Sequence, residues 1–332
     1  MVGIDRIEIR GTEEMGLRFQ LKAMVGKQLL ARFYRKQISA LGATRHLGPP
    51  PLRLPYLLID RGHPDTLVNL HGFTDRKESF LLCARGLVDS FNLVLPDLPG
   101  FGENERAPSH QHTMDHYTQS IVDLISDLGR RPVWLCGNSL GGAVASRVAF
   151  DRPELVRVVL PVSPTLYYND GDNPLFEEFS RGENLFLIHS EADYSRYIDR
   201  IFHQRPDPIP FVSDALLSDM MRKRDWYNKL AEDLLEGASG TPAEMMDAGR
   251  FLNGRLRDGV VPMHFLWGEH DALFPSETIH GLRRLRPDFR YTTIPGSGHC
   301  PHLEAPRRLA AAICETRDWL QSPAVSPGPG DP

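Results

Sequence analysis

The sequence predicts a doubly wound α/β fold, in which helices cover both faces of a mostly parallel sheet. Short apolar runs alternate with helix-length segments along the middle of the chain, and most lack the polar alternation of a half-exposed strand. Such runs are typical of strands that are buried on both faces. The predicted strands are Tyr56 to Ile59, Thr66 to Leu70, Asn92 to Leu95, Val133 to Cys136, Val156 to Val162, Met263 to Trp267 and Arg290 to Ile294.

The alternation of strands and helices stops between residues 164 and 258, where the sequence is rich in helix signals. One helix start is marked by Thr241 as N-cap, Pro242 at the first helical position and Glu244 two residues later, which together form a capping box. So long a helical insertion between two strands of one sheet is typical of a cap over the strand ends. We therefore predict a core over residues 52–163 and 259–321, a helical cap over 164–258, and a disordered Pro- and Gly-rich tail over 322–332.

Residues 1–51 are predicted to form a basic helical segment followed by a linker. No acidic residue occurs from Met15 to Ile59, whereas eight Lys and Arg residues do. Apolar residues recur at helical spacing from Leu17 to Val25 and then drift around the helix, so no single apolar face emerges. Two interpretations stay open, a helix docked on the domain and an anchor on a membrane surface. The helix should end before the rigid connector Gly48 to Pro51.

The composition is that of an ordinary globular protein. The 332 residues are 41% hydrophobic and 24% charged, and the net charge of −5 gives no general electrostatic case for nucleic-acid binding. The four cysteines are scattered without disulfide or metal-ligand spacing, which favours a reducing compartment. With no signal-peptide core and no membrane-spanning run, we expect a cytoplasmic protein, with peripheral membrane contact through the basic segment as the open alternative.

A candidate nucleophile, Ser139, lies in the run Val133 to Gly142, VWLCGNSLGG. A serine between a strand and a helix occupies a sharp, strained turn, and the residues two before and two after it lack room for a Cβ atom. Gly137 and Gly141 meet this steric requirement. The pattern therefore predicts a nucleophile elbow, although a simple Gly-rich turn that happens to contain serine would show the same sequence pattern.

Backbone donors for an oxyanion are predicted at two positions. His71-Gly72-Phe73 follows a buried strand, where a glycine lets backbone N–H groups turn outward. The N–H of Phe73 and the N–H of Leu140, directly after the candidate nucleophile, are the candidates.

An acid and a histidine follow Ser139, each just past a strand end. Asp271 follows the predicted strand at Trp267, and His299 follows the one at Ile294. The order Ser, Asp, His along the chain is the order expected of a triad on this type of sheet. In this hypothesis His299 takes the Ser139 proton, Asp271 orients His299, and an acyl-serine intermediate forms without a cofactor or metal.

Two other polar features are interpreted as structural. Asp97 lies among proline and glycines after a strand, which suits a side chain that fixes a turn. His110, His112 and His116 resemble metal ligands in spacing, but the segment reads as a surface loop, so a solvated histidine cluster is predicted.

The motifs HGFTD, DLPGFGEN, GNSLGG, WGEHDALFP and GSGHCPHLEAP, in this order, resemble the α/β-hydrolase superfamily over about Leu52 to Leu320. The cap and the tract around Ser139 are similar to the branch of monoacylglycerol-lipase-like and bacterial lipase-esterase-like enzymes. The resemblance implies Ser139, Asp271 and His299 as the triad and Phe73 and Leu140 as oxyanion-hole residues. Asn138 departs from the branch, which often has histidine at that position, and this leaves the subfamily open.

The resemblance also bears on the reaction. A serine at position 139 argues against epoxide hydrolases and haloalkane dehalogenases of this fold, which use aspartate. The expected substrate is a small-molecule carboxylic ester. The alternatives are carbon–carbon bond hydrolysis of ring-cleavage products with the same triad, and a receptor that binds a small molecule without turnover.

Overall fold

The computed structural model describes residues 16–104, 112–167, 183–205, 211–235 and 254–321, together with Leu175, Glu178, Arg181 and Leu252. The predicted capping box at Thr241 to Glu244 and the predicted tail after residue 321 lie outside the described residues.

A single eight-stranded sheet organises the described part of the chain. The strand order is β1-β2-β4-β3-β5-β6-β7-β8. The pairs β1–β2 and β2–β4 are antiparallel, and every other neighbouring pair is parallel. The strands are β1 Thr44–Leu47, β2 Pro55–Ile59, β3 Thr66–Leu70, β4 Asn92–Pro96, β5 Val133–Asn138, β6 Val156–Val162, β7 His264–Gly268 and β8 Arg290–Ile294. This confirms the predicted mostly parallel α/β fold.

Helices lie between and beyond these strands. They are α1 Leu17–Leu41, α2 Leu81–Ala84, α3 Met114–Leu128, α4 Leu140–Asp151, α5 Glu191–Ile201, α6 Val212–Leu235, α7 Thr278–Leu285, α8 Pro301–Glu304 and α9 Pro306–Gln321, with 3₁₀ turns at Lys77–Phe80 and Pro153–Leu155. Helices α5 and α6 both fall within the predicted cap, between β6 and β7.

Two hydrophobic cores, one on each face, explain the apolar strands. In β5 the side chains of Val133 and Leu135 pack into one core, and those of Trp134 and Cys136 pack into the other. Successive side chains of a strand point to opposite faces, so a strand covered on both sides has no position for a polar residue that faces water. The apolar runs therefore identified the central strands.

One strand was not predicted. Thr44–Leu47 pairs with β2, so the N-terminal segment reaches into the sheet and Gly48 to Pro51 lies in the connection between β1 and β2. All four β1 residues are exposed, and an exposed edge strand carries no apolar pattern. The amide N–H of Gly48 donates to the carbonyl of Leu54 (2.9 Å) and closes this connection.

Helix α1 docks on the domain, and this explains the drift of its apolar residues. Ala23, Gly26 and Leu41 are buried, whereas Leu17 and Leu21 point away and are exposed. A Cβ atom at Gly26 would lie 1.8 Å from the carbonyl oxygen of Phe211, so only glycine allows α1 to lie against the start of α6. The helix therefore carries two apolar faces.

His264 gives a testable pH dependence of stability. It is fully buried in β7, where its ring nitrogens lie 2.8 Å from the hydroxyl groups of Thr316 and Thr292. Burial, assisted by the charge of Arg290, lowers the pKa of His264 from 6.5 to about 3. Between these values the unfolded chain binds a proton that the folded chain does not, so this group makes stability fall with falling pH by up to about 1.4 kcal/mol per pH unit.

We expect His264→Gln to flatten the pH dependence of the free energy of unfolding between pH 6.5 and pH 4, because glutamine does not titrate. Urea unfolding at a series of pH values measures this slope. His46→Gln, at an exposed position of β1, is the matched control for replacing a histidine elsewhere in the sheet. Equal slopes in the wild type and His264→Gln would contradict the assignment.

Candidate active site

Ser139 lies at a strained turn between β5 and α4. Its backbone has φ 53° and ψ −117°, a conformation that non-glycine residues rarely adopt. A Cβ atom at Gly137 would lie 2.2 Å from the carbonyl oxygen of Gly141, and one at Gly141 would lie 2.3 Å from that of Leu70. The two glycines therefore meet the steric requirement that the sequence pattern implied.

Asp271 and His299 form a buried hydrogen-bonded pair. Nδ1 of His299 lies 2.9 Å from Oδ2 of Asp271, and a carboxylate can only accept, so Nδ1 is the donor. The other oxygen, Oδ1, accepts the backbone N–H groups of Leu273 and Phe274, each at 2.9 Å. Both carboxylate oxygens are thus engaged, which fixes the ring and leaves Nε2 of His299 for proton exchange.

The loop that carries His299 is held from three directions. The side-chain amide of Asn138 donates to the carbonyl of His299 (2.9 Å), and the backbone N–H of His299 donates to the carbonyl of Ile201 in α5 (2.9 Å). Glu304 accepts the N–H of Gly298 (2.8 Å). Burial raises the pKa of the Glu304 carboxyl above its usual value, and the backbone N–H groups that donate to it oppose that rise.

Neither Asn138 nor Glu304 was identified from the sequence as a positioning residue. The amide of Asn138 links the turn at Ser139 directly to the loop of His299, and it also donates to the carbonyl of Val162 (3.1 Å). The only signal in the sequence for Asn138 was its position beside Ser139. Glu304 lies five residues after His299 and could not be told from a surface carboxylate.

The segment after β3 places Phe73 beside Ser139. A Cβ atom at Gly72 would lie 3.3 Å from Cβ of Ser139, so the backbone of this segment passes close to the candidate nucleophile. Among the described residues, neither the N–H of Phe73 nor that of Leu140 donates to a backbone oxygen. The hydroxyl groups of Thr74 and Tyr197 lie 2.7 Å apart, which ties this segment to α5.

Ser139 and His299 open onto one cavity of about 370 Å³. Helices α5 and α6 cover it, and α1 contributes Lys27, Leu30 and Tyr34. Its wall combines the aromatic side chains of Phe73, Phe186, Tyr194, Tyr197, Phe202 and Tyr227 with charged ones, among them Arg76, Arg222 and Lys223. The aromatic part of this lining suits an apolar chain or ring.

Asp97 lies outside this arrangement and is buried in a structural network. Its carboxylate accepts the backbone N–H groups of Lys77 (2.8 Å) and Glu103 (2.9 Å) and the ammonium group of Lys77 (2.5 Å). It therefore fixes the segments after β3 and β4, in line with the turn-fixing interpretation.

The prediction of a solvated histidine cluster is wrong for His112. Its side chain is fully buried, and its backbone N–H and Nδ1 lie 3.0 Å and 3.2 Å from Oδ2 of Asp233 in α6. Helix α6 covers this histidine, which the local sequence could not indicate. His116 is half-buried and His110 lies outside the described residues. In the part of the chain that the structure describes, no group of three His, Cys, Asp or Glu side chains could hold a metal ion.

Comparison with known families identifies the fold family. A model described as the alpha/beta hydrolase family matches residues 67–312. The chain belongs to the α/β-hydrolase family. The match spans every predicted site residue of this α/β-hydrolase, from Phe73 to His299, and leaves α1 and the β1–β2 hairpin outside.

Individual relatives of this α/β-hydrolase are distant. Lipase 1 of Psychrobacter immobilis is 23% identical over 242 residues, which cover 73% of each chain. A pimeloyl-[acyl-carrier protein] methyl ester esterase of Nitrosomonas europaea is 28% identical over 258 residues, 76% of this chain and 95% of that one. Among solved structures, a membrane phospholipase A superimposes with a TM-score of 0.77 at 23% identity, covering 90% of this chain and 93% of that chain.

The described helices of this α/β-hydrolase include none that is both long and apolar enough to cross a bilayer.

Proposed function

We propose that the chain is a serine hydrolase that cleaves carboxylic esters through an acyl-serine intermediate. The observation that carries the proposal is the buried Asp271–His299 pair, which opens with the strained Ser139 onto one cavity. The names of the two curated relatives, a lipase and a methyl ester esterase, favour an ester as the substrate.

In the acylation step, Oγ of Ser139 attacks the ester carbonyl carbon while Nε2 of His299 takes the Ser139 proton. The resulting imidazolium is stabilised by the Asp271 carboxylate, which already accepts from Nδ1. The tetrahedral intermediate collapses, the C–O bond to the alcohol breaks, and His299 returns the proton to the departing alkoxide. An alcohol leaves and the acyl group stays on Ser139.

Deacylation repeats the sequence with water. His299 takes a proton from water, the hydroxide attacks the acyl carbonyl, and the bond to Oγ breaks as Ser139 regains its proton. The products are a carboxylic acid and free enzyme. The mechanism as proposed draws its base and its electrostatic stabilisation from the chain's own residues.

The N–H groups of Phe73 and Leu140 are the proposed oxyanion donors in both steps. Two observations support them: Gly72 passes close to Ser139, and neither N–H has a backbone acceptor among the described residues. Donors aimed at a developing oxyanion contribute about 3 kcal/mol each in comparable sites.

The aromatic wall suggests the acyl side of the substrate. The rings of Phe186 and Tyr227 both contact that of Phe73, with centroids 4.8 Å and 6.0 Å from it. Such a wall suits the apolar chain of a monoacylglycerol-like ester.

A substrate panel tests the proposed function. The purified full-length protein is assayed with p-nitrophenyl butyrate, a monoacylglycerol and a ring-cleavage dienoic acid. We expect kcat/KM for the esters to exceed that for the dienoic acid by at least about a hundredfold. Preferential turnover of the dienoic acid would assign the carbon–carbon reaction, and saturable binding of the esters without turnover would assign a receptor; either result would overturn the proposal.

A further inference from the structure

The outward face of α1 carries an apolar patch that is unusual for a solvent-exposed helix. Leu17, Leu21, Met24 and Val25 are 73%, 51%, 52% and 40% exposed, respectively. Residues at this spacing share one side of a helix, and it is the side opposite the buried Ala23 and Gly26. We call these four residues the α1 patch.

Two apolar side chains at the start of α6 are also partly exposed. Phe211 and Leu216 are 39% and 40% exposed, and Phe211 lies against Gly26 of α1. Leu216 also lines the cavity that contains Ser139. Because Gly26 lies on the side of α1 opposite the α1 patch, Phe211 is not part of that patch.

Positive charge surrounds the α1 patch. Helix α1 contains no acidic residue, and it carries Arg18, Lys22, Lys27, Arg32, Arg35 and Lys36. None of these six side chains forms an ion pair within the described ranges of the chain. Two acidic residues lie in the first half of α6. Asp214 is in its first turn, and Asp219 forms ion pairs with Lys223 (2.6 Å) and Arg222 (2.6 Å).

We propose that the α1 patch and its basic rim dock the protein on the surface of an anionic lipid bilayer. Leucine, methionine and valine side chains would enter the boundary between head groups and acyl chains, while Lys and Arg pair with anionic head groups. An amphipathic helix of this kind lies along the membrane surface.

The charge distribution favours lipid over a second copy of the chain. Two copies that met through this face would bring two sets of unpaired cations together, which costs Coulomb energy. An anionic bilayer neutralises the same cations. A dimer through this face is therefore the competing outcome that the experiment must separate.

Vesicle co-sedimentation of the full-length protein tests the proposal. Vesicles of phosphatidylcholine alone are compared with vesicles that contain about one third phosphatidylglycerol. We expect binding to the anionic vesicles that weakens with rising salt, and much weaker binding to phosphatidylcholine alone. Using the Ser139→Ala variant in a parallel arm keeps the lipids intact, so the result does not depend on the proposed ester hydrolysis.

Two variants separate the apolar and the electrostatic contributions. Leu21→Glu/Met24→Glu should weaken binding to anionic vesicles by at least about tenfold, because both side chains lose their apolar burial in lipid. Arg32→Gln/Arg35→Gln should weaken binding by about fivefold per removed charge, and only on anionic vesicles. Hydrolysis of p-nitrophenyl butyrate in solution should be unchanged in both variants, since none of the four residues lines the cavity.

Val260→Glu is the matched control for the apolar variant. Val260 is 79% exposed but precedes the amino end of β7, away from the strand ends that carry the cavity. This variant should bind vesicles as the wild type does. Wild-type protein that does not bind anionic vesicles, or Leu21→Glu/Met24→Glu that binds them undiminished, would overturn the proposal. A solution dimer that Leu21→Glu/Met24→Glu converts to monomer, without vesicle binding by the wild type, would instead assign the α1 patch to a second copy.

Discussion

Ser139→Ala is expected to lower kcat/KM for p-nitrophenyl butyrate by at least about four orders of magnitude. The reason is that the proposed reaction forms its covalent bond to Oγ of Ser139, and alanine offers no atom in its place. The N–H donors and the cavity remain, so residual turnover through direct attack by water is expected at a level far below wild type. Steady-state kinetics with the purified variant measure the loss.

Folding controls accompany this variant. The Ser139 side chain is 8% exposed and removal of one hydroxyl leaves little cavity, so the midpoint of thermal unfolding should stay close to that of the wild type. Ser120→Ala removes another buried hydroxyl, which donates to the carbonyl of His116 in α3, and should retain activity. Full activity in Ser139→Ala would contradict the proposed nucleophile.

Gly141→Ala is expected to destabilise the protein by several kcal/mol and to abolish activity. Its Cβ atom would lie 2.3 Å from the carbonyl oxygen of Leu70 and 2.6 Å from that of His71, and both are backbone atoms of the strand end beside the site. Backbone atoms cannot rotate away as a flexible side chain can. Either α4 must shift from the sheet or β3 must bend, and both displace Ser139 from Gly72.

Gly254→Ala is the matched control for the steric argument. Gly254 is an exposed helical residue, and a Cβ atom there would meet nothing within 4 Å. Alanine should therefore leave stability unchanged or raise it by up to about 1 kcal/mol. Denaturant unfolding of both variants provides the comparison. Equal stability of Gly141→Ala and the wild type would contradict the packing at the turn.

The central sheet and the candidate site could be predicted from the sequence because local constraints restrict which residues can occur there. A strand covered on both faces must be apolar, and the strained turn at Ser139 permits only small neighbours at positions 137 and 141. The Ser, Asp and His residues follow strand ends, and parallel strands bring those ends to one edge of the sheet. The positions of Asp271 and His299 after their strands were therefore enough to predict that the two residues lie side by side.

Features that depend on distant parts of the chain were not accessible. All four residues of strand β1 are exposed, so its sequence carries no apolar signal. His112 is buried because Asp233, 121 residues later, lies over it. Asn138 matters through a carbonyl of the His299 loop, which lies on a different strand connection. Each of these depends on contacts between segments that no local pattern encodes.

The most direct test of the account is the site of covalent modification by a fluorophosphonate ester, located by mass spectrometry of the digested protein. Ser139, activated by His299, should react with a stoichiometry of one adduct per chain. The same reagent should leave Ser139→Ala unmodified and should react far more slowly with His299→Ala. An adduct on a different residue, or no adduct on a preparation that hydrolyses esters, would contradict the account.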